Sequence, residues 1–138
     1  VLLLLIALIT NIRWYFEAYG PQYRRASQKT SDVARAAGGF VAAFGSTADV
    51  YIEAWPHWVD YRLVGFQMGD PRWGNVLGRI EDIRRSDATP RPRLVIMHPA
   101  DREGLVQLRR WYPDGIEKQV DVDGQPYFVL YLIPQRTR

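Results

Sequence analysis

The sequence contains no cysteine, so no disulfide framework, thiolate metal site or cysteine nucleophile can be built from it. Lysine is almost absent too: Lys29 and Lys118 stand beside a basic set made otherwise of arginine. Histidine occurs only at His57 and His98, with no HxxxH or HExxH spacing, so a metal site would have to gather distant acids. The segment "GGFVAAFG" lacks both the Lys-Ser/Thr pair and the preceding strand of a phosphate loop. "DVDGQ" lacks the other ligands of a calcium loop and reads as a turn. The serines at 27, 31, 46 and 86 have no nucleophile-elbow context, and Glu81/Asp82 read as a solvated helix face. No catalytic residue and no metal ligand set emerges. An unbroken apolar run of the ~20 residues that span a bilayer is missing as well.

What remains is ordinary globular material. The 138 residues suffice for one domain with one real core, and 47% hydrophobic against 24% charged residues argues against disorder. The net charge of +3 is modest. Arg84-Arg85 and Arg109-Arg110 have acids close by in sequence, so they read as solvated helix faces, and nucleic acid is not an expected partner.

The chain opens on "VLLLLIALIT", nine apolar residues before Thr10. A secretory signal needs a basic start and small residues at a cleavage site, and neither is present. Four consecutive leucines favour helix over strand. With no initiating Met, the run reads as the last turns of a membrane helix that begins upstream. Arg13, Trp14, Tyr15 and Tyr19 supply an interfacial collar of aromatics with a cation able to snorkel. Residues 1–19 are therefore expected to be the end of a transmembrane helix with its interfacial segment. Removed from a bilayer, apolar area worth ~25 cal/mol per Å2 should be hidden against the domain or a neighbouring chain, with self-association one outcome. The basic residues that follow favour a cytoplasmic side, a rule that weakens for long translocated domains.

Gly20-Pro21 reads as the end of the first helix, with residues 20–30 a polar linker and 31–138 the soluble domain. Ser31 or Asp32 can cap a helix to about Phe44, in which Gly38-Gly39 imply close packing on a neighbour. "ADVYIEAW" (48–55) reads as a strand and Pro56 opens a short helix. Asp70-Pro71 opens a further helix with a Trp73, Val76, Leu77, Ile80, Ile83 stripe. After a proline-rich loop (86–93), "LVIMH" is a buried strand, and Pro99 and Asp101 start a helix carrying Leu105, Leu108 and Tyr112. Two final strands flank Asp123-Gly124 as hairpin chemistry. The order α–β–α–α–β–α–β–β implies an α/β class: a small layered sandwich with a mixed sheet, a parallel βαβ part and a C-terminal antiparallel hairpin, preceded by an apolar N-terminal helix.

Both histidines follow expected strands. If those strands are parallel neighbours, Trp55, His57, His98 and Asp101 meet at their carboxyl ends, where open α/β sheets bind ligands. Trp55, Trp58, Trp73 and Trp111 are large enough to stack on sugar rings, although packing in a core is the commoner fate.

The apolar start running into "NIRWYFEAY", then "DVYIEAWPHWVDYRLVGFQMGDPRW", then "RLVIMHPADREGLVQLRRWYPDG" and a hairpin, resembles the carboxyl-terminal end of bacterial multi-pass glycosyltransferases related to the protein O-mannosyltransferases. The resemblance covers most of the chain, and "PHWVDYR" and "MHPADREGLVQLRRWYP" are its most specific parts. It implies an extracytoplasmic domain at the cell membrane, appended to an enzyme that uses polyprenyl-phosphate-linked sugars and partnered by that enzyme's transmembrane part. The catalytic carboxylates of that family lie in an early loop between membrane helices, and no position here matches them, so the segment is expected to support catalysis or bind an acceptor. No cofactor is implied for it; a divalent-metal requirement of the full-length enzyme is left open. Two other classes fit the residues: a stand-alone α/β ligand-binding module, and a domain acting through protein contacts of its aromatic N-terminal helix.

Overall fold

The computed structural model describes residues 2–14, 20–86 and 90–135, with side chains left out at 2–5, 8 and 20–28. Helix α1 (Leu2–Arg13) is followed by α2 (Gly20–Phe44), β1 (Val50–Glu53), α3 (Tyr61–Gln67), β2 (Val76–Leu77), β3 (Arg93–Met97), α4 (Arg102–Trp111), β4 (Ile116–Val122) and β5 (Gln125–Ile133). The five strands form one mixed sheet in the order β2-β1-β3-β5-β4. β1 lies parallel to both β2 and β3, whereas β5 runs antiparallel to β3 and β4. The α/β class, the parallel part and the C-terminal hairpin are therefore as the sequence pattern implied.

Strand alternation divides the interior into two cores. On one face Val50, Ile52, Leu94, Ile96 and Phe128 pack against Val33, Ala34, Ala37 and Phe40 of α2 and Val64 of α3. On the other, Val95, Met97, Val129, Tyr131 and Ile133 meet Leu108 and Tyr112 near α4, together with Ile80 and Ile83. β3 is buried along its whole length, as a central strand covered on both faces must be. Arg93 at its start is also buried, its guanidinium donating to Ser86 Oγ at 2.6 Å and lying 5.1 Å from the Tyr112 ring centroid.

Several elements differ from the sequence reading. Residues 20–30 belong to α2 and form no linker, because Pro21 sits in a first helical turn, where its missing N–H costs nothing. Ser31 and Asp32 consequently lie inside a helix and cap nothing; Asp32 pairs with Arg35 one turn on. Gly45, at φ 85°, ends α2 and donates to Val41 O at 2.7 Å. A Cβ built at Gly38 or Gly39 would meet nothing within 4 Å, so no neighbour requires these glycines.

The expected helix from Asp70 is instead a turn, the two-residue β2 and a 3-10 segment over Ile80–Ser86. Tertiary bonds outweigh the helical spacing there. Trp73 Nε1 donates to Thr47 O (3.0 Å) and Val50 O (3.3 Å), Asn75 Nδ2 donates to Ala48 O (2.9 Å), and Val76-Leu77 pair with Ile52-Glu53. The same apolar residues are buried, but against a sheet edge.

The apolar start is helical over the 12 residues of α1, about 18 Å long at 1.5 Å per residue. Among the described residues no helix is long and apolar enough to cross a membrane. Ile6, Ile9 and Ile12 are about half exposed, Trp14 is 70% exposed, and none of these four belongs to either core. Tyr15 and Tyr19 lie outside the described residues.

Candidate functional site

β1 and β3 are parallel neighbours, registered Val50 to Leu94 through Ile52 to Ile96, so their carboxyl ends open on the same edge. Immediately beyond them the chain places Trp55 and Trp58 on one side and His98 and Asp101 on the other. The His98 imidazole is stacked on the Trp55 indole at 4.5 Å with 3° between planes, and meets Trp58 edge-on at 5.5 Å. Trp58 is buried and donates its indole N–H to Glu53 O at 3.2 Å. Tyr61 fixes the turn after β1: its hydroxyl accepts from Trp55 N (3.0 Å) and lies 3.1 Å from Trp55 O.

Glu53, the last residue of β1, connects the two chain ends. It is only 7% exposed, and its Oε2 accepts the His98 backbone N–H at 2.9 Å. Its carboxyl also shares a hydrogen bond with Asp101. Asp101 caps α4, accepting from Gly104 N at 2.9 Å, so the α4 side is built around a carboxyl pair. Burial first, then the Asp101 hydrogen bond, push the Glu53 carboxyl up to about 8, against the opposing His98 N–H. Glu53 therefore carries a proton at neutral pH, which lets two carboxyls share the site without like-charge repulsion.

His98 is held neutral. Desolvation and the charge of Lys29 lower its pKa, with Asp101 opposing. Ala100 N donates to Nδ1 at 3.2 Å, which fixes the acceptor nitrogen and assigns the proton to Nε2. Lys29 reaches the edge from α2; the next residue, Thr30, accepts from Asp60 N at 3.1 Å and so ties that turn of α2 to the loop after β1. The Lys29 ammonium lies 4.8 Å from the centroid of Tyr127, and burial lowers its pKa.

The structure thus brings Trp55, His98 and Asp101 together, and leaves His57 out. His57 is exposed, with a left-handed backbone at φ 56°, and is not part of the ring stack of Trp55, His98 and Trp58. Glu53, Tyr61 and Lys29 were not singled out as site residues by sequence reasoning; Trp58, weighed there between sugar stacking and core packing, is buried. Glu53 was the most accessible of these: an acid ending an apolar strand is costly to bury and must find a partner. Trp73 is core, and Trp111 is half-buried beneath the Arg84 guanidinium. Arg13 and Trp14 stand exposed at the end of α1.

The amino-terminal edge of the parallel strands is different. A cleft of about 510 Å3 lies there between Tyr51, Asn75 and residues around Asp49 and Asp82. Its charges are matched internally, Asp49 by Arg91 at 3.0 Å and Asp82 by Arg85 at 3.2 Å. Among the described residues no group of three His, Asp or Glu side chains is placed to hold a metal ion. No known protein family, curated protein or solved structure matches the chain.

Proposed function

We propose that the chain is the extracytoplasmic domain of a membrane glycosyltransferase that uses polyprenyl-phosphate-linked sugars, with the group-transfer chemistry carried elsewhere in that enzyme. The observation that carries this reading is the contrast between α1 and the body: an apolar helix with half-exposed Ile6, Ile9 and Ile12 precedes a domain that has two cores of its own, and these isoleucines belong to neither. A helix of that kind needs an apolar environment outside the domain, as the end of a membrane span would have. The upstream reading frame tests it. Several further apolar spans, with an acidic pair in the first outer loop, support the assignment; an open frame beginning near Val1 overturns it.

Within that enzyme the domain's role is to bind the sugar-bearing ligand at the carboxyl edge of β1 and β3, through Trp55, His98 and Asp101. Half-exposed indole and imidazole rings offer flat apolar faces to a sugar ring, and the carboxyl accepts from hydroxyls. Titration with methyl glycosides of common hexoses should change the tryptophan fluorescence saturably in the millimolar range. A flat response overturns the ligand-binding role.

A further inference from the structure

The sheet ends in two unlike edges. β2 offers only Val76 and Leu77, whereas β4 runs from Ile116 to Val122 and is exposed at every position but Val120. Among the described residues β4 is bonded to β5 alone, so its outer side is free. A long exposed edge is a template for another strand. Its side chains divide by face. Glu117 and Gln119 register with Tyr131 and Val129 on the α4 side, where Arg109 grips both oxygens of Glu117 at 2.8 and 2.9 Å; Asp121 continues that side. Ile116, Lys118 and Val120 register with Leu132, Leu130 and Phe128 on the α2 side, which Val122 continues. Ile116 and Val122 are 62% and 42% exposed, and they stand at equal distances on either side of Gln119.

The turn assigns the free backbone groups. Asp123 and Gly124, at φ 53° and 71°, form a two-residue hairpin turn whose flanking pair, Val122 and Gln125, exchanges hydrogen bonds. Alternation along β4 then points the N–H and C=O of Glu117, Gln119 and Asp121 outward. Pro126 agrees with this, since it lies opposite Asp121, where β4 asks β5 for no N–H.

We infer that β4 pairs antiparallel with β4 of a second copy of this chain, about a two-fold axis through Gln119 and perpendicular to the sheet. In that register Gln119 faces its own counterpart and Glu117 faces Asp121 of the second copy, so every outward backbone group gains a partner. Ile116 meets Val122 of the second copy at both ends, which covers the exposed apolar residues of the edge. Other registers do worse. An axis at Glu117, Lys118 or Asp121 opposes identical charges at its centre, and an axis at Val120 sets Ile116 against Gly124 and Glu117 against Asp123. The favoured register brings Glu117 near Asp121, and the Arg109 guanidinium beside Glu117 offsets that repulsion. A perpendicular two-fold axis also keeps both α2 layers on one side of the joined sheet, as two copies held in one bilayer require. Self-pairing at β4 is independent of any ligand at the carboxyl edge.

The chain has no cysteine, so single cysteines report the register directly. Full-length Gln119→Cys, oxidised in detergent micelles, should give a disulfide dimer, because residues paired on the axis have Cα atoms about 5.5 Å apart. Ile116→Cys should not link to itself, its two copies lying about 20 Å apart, whereas Ile116→Cys mixed with Val122→Cys should give the mixed dimer. A single strand pair is a small interface, so sedimentation equilibrium should give a dimer Kd of about 10–100 μM. Gln119→Pro removes only an outward N–H and should weaken the dimer at least about tenfold with unchanged far-UV circular dichroism. Asp121→Asn, which relieves the like-charge contact, should tighten it about threefold. Absence of the Gln119→Cys dimer, or self-linking of Ile116→Cys as readily as Gln119→Cys, overturns the pairing. So does a chain that stays monomeric at about 1 mM, well above the expected Kd. A dimer that survives Gln119→Pro but is lost when Ile6, Ile9 and Ile12 are replaced with aspartate assigns association to α1 and overturns it too.

Discussion

Glu53 sets the electrostatics of the candidate site, and its proton makes a measurable prediction. A carboxyl held near 8 in the fold and near 4.5 when unfolded keeps its proton longer in the native state. Folded protein then binds more protons than unfolded between those values, so stability falls as pH rises towards 8. Below about 6.5 the lowered His98 works the other way, because its neutral ring resists the proton the unfolded chain takes up. The clean window is therefore pH 6.5 to 8 and just above. Glu53→Gln keeps an acceptor for His98 N and a donor for Asp101, and loses the titration. Urea unfolding should show the variant near wild type at pH 5 and about 2–4 kcal/mol more stable than wild type at pH 9. A constant difference at both pH values would show that Glu53 is ionised throughout.

At the scale of elements, local signals succeeded where chain chemistry is strict. Asp123-Gly124 occupies the turn between β4 and β5 with φ 53° and 71°, the pair of left-handed residues a tight hairpin needs. Asp101 caps α4, and Leu108 and Tyr112 enter the core from the face their spacing assigned. The same signals failed where a distant partner decided. Residues 70–85 carry a helical stripe, but Trp73, Asn75 and Val76 are claimed by β1 and the turn before it. α2 extends through the stretch read as linker because Gly-Pro serves equally to stop one helix and to start another. Gly39 offers an element-scale test: it is exposed in mid-helix with no neighbour at its Cβ. Gly39→Ala should raise stability by about 1 kcal/mol in thermal unfolding. A loss of stability would reveal a packing constraint on α2.

At the scale of the whole molecule, the exposed apolar residues of α1 stand apart from the two cores of the body. α1 leaves Ile6, Ile9 and Ile12 about half exposed, three residues apart along one side of the helix. Replacing all three with aspartate should abolish co-flotation with phosphatidylcholine vesicles and leave the urea midpoint unchanged, because neither core includes them. A lowered midpoint would show that α1 supports the body directly. The remainder is a three-layer arrangement in which β1 and β3 aim both of their following loops at one edge.

The sequence alone determined the α/β class, the hairpin, the helix after Asp101 and the exclusion of cysteine chemistry, since composition, turn residues and short-range spacing act locally. It also pointed to Trp55, His98 and Asp101 on the condition that two strands lie side by side. Only tertiary structure could meet that condition. Parallel pairing of β1 with β3 joins residues 45 positions apart, Glu53 and His98, through a hydrogen bond that no local pattern encodes. The same pairing buries Glu53 and so favours its protonated form, while packing of α2 brings Lys29 to the edge. Burial and long-range register, which set these charges, are properties of the folded chain as a whole.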